Sequence, residues 1–243
     1  MRARLGVLAL LSLTLVGCGS GSSSTSGTST APAPVEKTTL TVYFLRDARV
    51  AAAHVRVERT TAIAHAALAA LLAGPPPRLQ SALPSGAHDF DVSIDGGRAD
   101  VHLGSGADLN RAARAQIVYT LTRFPTIDRV SVDDAPPATR ADFEDQTPII
   151  LVETPAPGDT VKSPIHVTGT SNTFEATLQL RLVQNGKKLY EHFVTATSGT
   201  GQRGTFTWDI PTDATGPATL EAFEYSAENG SEIHKVEIPI MLS

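Results

Sequence analysis

The sequence predicts an α+β domain followed by an all-β sandwich. Three observations carry that expectation. Apolar residues recur at helical spacing twice in the first half, strand alternation flanks both of those stretches, and helical periodicity vanishes beyond residue 148 while turn signals multiply.

The first domain opens with a strand over Thr39 to Arg46, where Leu40, Val42 and Phe44 alternate with Thr41, Tyr43 and Leu45. A second short strand is expected around His54 to Glu58. Thr60 or Thr61 then caps a helix through Ala73, with Ile63, Ala67 and Leu71 on one face, and Gly74 and the prolines at 75 to 77 stop it. Phe90 to Ile94 and Ala99 to Leu103 read as a hairpin around Asp95, Gly96 and Gly97. Asp108 is positioned to cap a second helix running to Arg123, whose stripe is Leu109, Ala113, Ile117 and Leu121. After Pro125, Ile127 to Val132 supplies a last strand, giving the order ββαββαβ over residues 39–133.

Residues 134–147 are proline-rich and acidic and read as a connection. Residues 148–243 then alternate as strands at Ile165 and Val167, at Leu178, Leu180 and Leu182, at Phe206, Trp208 and Ile210, and from Val236 to Leu242. Pro157-Gly158, Asn185-Gly186, Gly199 to Gly204, Asp213 to Gly216 and Asn229-Gly230 mark turns between them. Short strands at this spacing argue for an antiparallel sandwich whose core rests on aliphatics, Phe206 and Trp208.

The amino-terminal end carries a different signal. Arg2 and Arg4 precede an apolar run from Leu5 to Val16, which is too short for the roughly 20 residues of a spanning helix. The run ends in Leu15, Val16, Gly17 and Cys18, a tetrapeptide that resembles the bacterial lipobox. That resemblance implies a signal peptide over residues 1–17, cut before Cys18, with lipid on the cysteine thiol. Cys18 is the only cysteine of the chain, so no intramolecular disulfide competes for it. Two or three acyl chains hold a protein stably where one does not, at about 0.8 kcal/mol per buried methylene. Residues 18–38, rich in Gly, Ser, Thr, Ala and Pro, have no apolar period and read as a tether. About 20 such residues span roughly 25 Å.

Several separated motifs resemble a known family. Val42 to Arg46 (VYFLR), Ala66 to Pro75 (AALAALLAGP), Ser81 to Gly86 (SALPSG) and Gln116 to Pro125 (QIVYTLTRFP) occur in the order of the GerMN domain. That domain belongs to sporulation and germination proteins and occurs also in actinobacterial lipoproteins of the LpqB type. Downstream, Thr154-Pro155, Gly158, Ser163-Pro164-Ile165, Gly169 and Ser226 to Pro239 resemble the immunoglobulin-like domain of bacterial spore germination. His102 and Gly104 depart from the GerMN pattern, which favours an acidic and then a small hydroxyl residue there. The resemblance implies a ring-building-like α+β fold, an immunoglobulin-like partner and a non-enzymatic role in protein contacts.

The search for chemistry agrees with that implication. The formal net charge is -5, and loss of Arg2 and Arg4 with the signal makes it two units more negative, so no basic stripe invites nucleic acid. Gly199, Gly201 and Gly204 spell GxGxxG but run into a strand rather than opening a helix. Histidines at 54, 65, 88, 102, 166, 192 and 234 form no helical ligand pair, although His54 and His102 are candidates to meet in space. Asp89 with Asp91, and Asp142 with Glu144 and Asp145, offer oxygens without the loop of a calcium site.

No catalytic residue, cofactor or metal is expected. The expected function is a lipid-anchored envelope protein on the extracytoplasmic face of the cell membrane, presenting its domains to other envelope proteins in a germination-like or assembly role. The alternative is a module for cell-wall glycan or peptide, for which an aromatic content of 5 % is low.

Overall fold

The computed structural model describes residues 35–84, 89–104 and 109–243, and residues 35–243 fall in one compact unit. Strand β1 (Lys37–Arg46) pairs antiparallel with β2 (Arg49–Glu58) through a tight turn at Asp47 and Ala48, both at positive φ. β2 begins five residues earlier than expected. The alanines at 51 to 53 have little strand preference of their own, but they face Phe44, Tyr43 and Val42 in register and are buried with them. Tertiary packing decides the conformation there.

Helix α1 (Ile63–Leu72) buries Ala64, Ala67, Leu68 and Leu71, and leaves Ile63 39 % exposed at its first position. The expected threonine cap is not made: Thr60 Oγ1 accepts from the N–H of Ala62, ahead of the helix. β3 (Phe90–Asp95) and β4 (Arg98–Leu103) form the expected hairpin, with Gly96 and Gly97 at φ +51 and +80. β5 (Arg129–Val132) joins β4 in parallel, and helix α2 (Arg111–Leu121) makes the crossover. Asp108 lies outside the described residues, and Asn110 caps α2 by accepting the N–H of Ala113 at 2.9 Å. Of the expected stripe, Ala113, Ile117 and Leu121 lie on α2 and are buried, while Leu109 precedes the cap and the helix ends at Leu121 rather than Arg123; the buried face is also wider than expected. Every residue from Ala115 to Leu121 is buried, because the β1–β2 hairpin, α1 and β5 all pack on this helix.

Residues 134–147 are not a passive connection. Ala138 bridges to Val130, extending the three-stranded sheet, and a 3-10 helix over Arg140–Gln146 packs on α2 with Phe143 in the first core. Thr139 and Asp142 close a reciprocal capping box at its start.

The remaining strands are β6 (Ile150–Thr154), β7 (Thr160–Val161), β8 (Ile165–Ser171), β9 (Thr177–Gln184), β10 (Lys187–Thr195), β11 (Gly204–Ile210), β12 (Gly216–Tyr225) and β13 (Glu232–Leu242). They form one sheet in the order β10-β9-β12-β13-β7 and another in the order β11-β8-β6. The sandwich is antiparallel except where β7 runs parallel to β13. Inward side chains such as Val167, Leu180, Leu182, Phe206, Leu220 and Ile240 make its core, and Trp208 packs against it only half-buried.

β6 serves both cores. Ile150 and Val152 enter the sandwich, while Leu151 points to the opposite face and joins the first core. An irregularity between Val152 and Thr154 leaves Glu153 unpaired in the register and turns it toward the hairpin.

Candidate interaction site at the junction and sandwich edge

The junction is built around one guanidinium. Tyr43 is wholly buried although it sits in an apolar strand, so its hydroxyl needs a partner. That partner is Glu153 Oε1. Arg140 Nη1 donates to the same oxygen at 2.8 Å, Nε to Thr122 Oγ1 at 2.9 Å and Nη2 to the Tyr119 carbonyl at 3.0 Å. Its plane also lies over the rings of Tyr43 and Tyr119, at 5.1 and 4.7 Å from their centroids. Burial, and then the neighbouring Glu153, push the Tyr43 phenol well above its ordinary range. Burial opposes the charge of Arg140, but Tyr43 and Glu153 outweigh it and hold the guanidinium protonated.

Around this centre the polar groups that α2 turns toward β1 and the connecting segment are matched. Thr120 Oγ1 accepts the N–H of Tyr43, Gln116 donates to the Tyr43 carbonyl and accepts from Ala82, and the Tyr119 hydroxyl meets Thr147 Oγ1 at 2.6 Å. Two further clamps cross the junction. Arg203 binds both oxygens of Glu144 at 2.9 Å and donates to the Pro148 carbonyl at 2.7 Å, and His54 Nδ1 lies 2.6 Å from Asp159 Oδ2.

Three of the five carboxylates weighed as oxygen ligands are spent on protein partners. Asp142 caps Thr139, Glu144 pairs with Arg203, and Asp145 takes a bidentate bond from Arg111. Among the described residues no three His, Cys, Asp or Glu side chains gather as a metal site. His54 and His102 do not pair: His54 holds Asp159, and His102 stands on β4 opposite Asp91. His166 and His234 approach Asp209 and Glu224, and His88 lies outside the described residues. The loop with Gly199 and Gly201 leads into β11 and opens no helix, but it is not the expected hairpin loop: β10 pairs with β9 and β11 with β8, so it carries the chain from one sheet to the other. Leu15, Val16, Gly17 and Cys18 lie outside the described residues.

A second feature occupies the open edge of the sandwich, where β10 ends one sheet and β11 the other. His192 stacks between Trp208, at 4.6 Å, and Phe193, at 5.0 Å, and Trp208 Nε1 donates to the Tyr190 hydroxyl at 2.8 Å. Phe193 is 57 % exposed. No motif or spacing in the sequence points to Arg140, Glu153, Arg203 or this aromatic row as a site. The one local signal was a buried-pattern Tyr43, which demands a polar partner without naming it.

Comparison with known families gives two matches. Residues 41–133 match the family described as sporulation and spore germination, and residues 149–231 match the immunoglobulin-like domain of bacterial spore germination. Neither description names a reaction. No curated protein matched the sequence. Among solved structures, CopC from Methylosinus trichosporium OB3b is similar at 18% identity and a TM-score of 0.28, over 39% of this chain and 93% of that one. The tandem GerMN domains of the sporulation protein GerM from Bacillus subtilis are similar at 16% identity and a TM-score of 0.37, over 74% of this chain and 63% of that one.

Proposed function

We propose that this chain, which carries a sporulation and spore germination domain over residues 41–133 and an immunoglobulin-like domain of bacterial spore germination over residues 149–231, is a lipid-anchored envelope protein that presents both domains as one docking body. The observation that carries the reading is the junction. Arg140, Glu153 and Tyr43, with Arg203 and Glu144, fix the two domains to each other rather than leaving them on a swivel. A fixed relation suits a partner surface that spans both, because less freedom is lost on binding. The anchor rests on the sequence alone, on the basic and apolar leader and on Cys18. Among the described residues no helix is long and apolar enough to cross a membrane.

Proximity cross-linking in intact cells tests the docking role. A reproducible set of envelope proteins captured by the full chain is expected, and capture of nothing above background would sink it. Mass spectrometry of the mature amino terminus tests the anchor: Cys18 should be acylated, and Cys18→Ala should keep its leader. A free Cys18 thiol in the unmutated protein would refute the anchor.

One observation favours a cell-wall glycan as a second reading. Although aromatic residues are few, Tyr190, His192, Phe193 and Trp208 are concentrated on one edge, and stacked rings offer sugars a platform. Co-sedimentation with purified wall that is lost in Phe193→Ala would establish it, and no co-sedimentation would remove it.

A further inference from the structure

The aromatic row at the sandwich edge ends in one open ring. His192 and Phe193 are consecutive on β10, and an extended strand points consecutive residues to opposite faces. Their rings nevertheless stack at 5.0 Å, so both lean over the free edge of β10. The stack therefore stands across the backbone with which an added strand would pair. His192 is covered on both sides, by Trp208 and Phe193, and Trp208 packs on the sandwich core. Phe193 is left at the outside, 57 % exposed.

That ring opens onto the outer face of the sheet. Gln179 on β9 lies directly opposite Phe193, and Phe223 on β12 lies opposite Gln179. Phe223 is wholly buried even there, because the Arg181 guanidinium covers its ring at 4.3 Å and Tyr225 meets it edge-on at 5.3 Å. The Tyr225 hydroxyl donates to Glu191 at 3.2 Å, which fixes a second ring that stays 45 % exposed. Between the two rings stands the half-buried side-chain amide of Gln179, which bonds none of the described residues. The charges around it are already matched. Arg181 holds Glu191 and Glu221 at 2.7 and 3.0 Å, and Lys188 and Lys235 add a second cation to each. A face of this kind calls for an uncharged ligand that brings apolar surface and an amide together.

We propose that this face binds an N-acetylhexosamine unit of a cell-wall glycan, with the C–H face of the sugar on Phe193, the acetamido amide on Gln179 and its methyl group against Tyr225. A sugar without the acetamido group keeps only the first contact. An extended peptide is turned away, since the aromatic stack occupies the edge where it would add as a strand. Both rings are held before the ligand arrives, so little side-chain freedom is lost on binding. The proposal rests on the glycan reading above and names the sugar and the residues that select it.

The test is an NMR titration of the isotopically labelled full chain with N-acetylchitotetraose and with cellotetraose, which has the same linkage and no acetamido group. N-acetylchitotetraose should shift the side-chain amide of Gln179 and the backbone amides of Phe193 and Tyr225. Cellotetraose should bind about tenfold more weakly, having lost the bond to Gln179 and the methyl contact. Gln179→Ala should bring the first sugar down to the affinity of the second and leave the second unchanged, a pattern that a merely structural role does not produce. Phe193→Ala should abolish binding of both. Equal binding of the two sugars, no shift at Gln179 or Phe193, or an equal loss for both sugars in Gln179→Ala would overturn the assignment. The two titrations of the unmutated chain decide it by themselves if a variant does not fold. Wall co-sedimentation that depends on Phe193 without a preference for the N-acetylated sugar would sink this site and leave the glycan reading standing.

Discussion

Arg140 shows how one side chain sets the cost of separating two domains. It is about three-quarters buried, and the Glu153 side chain that it meets is 12 % exposed. Arg140→Met keeps much of the packing volume but leaves the carboxylate with only the Tyr43 hydroxyl. Breaking a buried pair from one side is worth about 3 kcal/mol, which chemical denaturation at neutral pH should register. A loss under about 0.5 kcal/mol would mean that water replaces the guanidinium freely. Glu144 makes the parallel case for pH. Burial raises its pKa, but the bonds from Arg203 and Asn172 outweigh this and the folded value lies below the ordinary carboxylate range. A depressed folded pKa contributes stability that is full above the unfolded value of about 4.3 and fades as pH falls through the folded value. The melting temperature should therefore drop on acidification below about pH 4, and Glu144→Gln should flatten that part of the profile. Glu144 is 40 % exposed, so salt screening will blunt the effect.

Gly169 shows the same economy within an element. A Cβ there would sit 2.2 Å from the Leu151 carbonyl and 2.6 Å from the Phe206 ring, so β8 fits between β6 and β11 with the ring folded over it only because the residue has no side chain. Gly169→Ala should cost about 3 kcal/mol through overpacking against backbone that has nowhere to move. Removing the α2 cap with Asn110→Ala should cost about 1 kcal/mol, as the Ala113 N–H loses its acceptor. Circular dichroism melts of both variants check the order, and an Asn110→Ala loss as large as that of Gly169→Ala would contradict it.

What the sequence makes legible is local. The Gly96-Gly97 and Asn185-Gly186 turns, the stop of α1 before Gly74 and the inward residues Ala113, Ile117 and Leu121 of α2 follow from residue type and period, and all appear in the fold. β10 and β12 escape the alternation pattern because charged residues interrupt them. Arg181 on β9 binds Glu191 and Glu221 on the two adjacent strands and reaches Glu232 one strand further, so charge that reads as loop is cross-strand pairing. The junction was invisible for a related reason. Arg140 lies 97 residues from Tyr43, and nothing at either position names the other. The continuous apolar run from Ile149 to Val152 was the available hint, since a strand apolar on both faces is covered on both.

At the scale of the molecule, β6 decides whether the domains are separable. Leu151 belongs to the first core and Ile150 and Val152 to the second, so pulling β6 from the hairpin exposes one core and pulling it from the sandwich exposes the other. Phe143, from the connecting segment, is likewise buried in the first core. Apolar surface contributes about 25 cal/mol for each Å² withheld from water, so neither domain can unfold without uncovering part of its neighbour's interior. Calorimetry of the full chain at neutral pH should therefore give one cooperative transition, with the calorimetric enthalpy equal to the van't Hoff enthalpy. The ionic clamps should be what keeps it single. With Arg140→Met and Arg203→Met combined, Glu153 and Glu144 lose their guanidinium partners on opposite sides of the junction, and the domains should melt in two resolved steps. Two steps in the unmutated protein would show that the shared strand is too small a contact to couple the cores, and one step in the double variant would show that Leu151 and Phe143 couple them without the clamps.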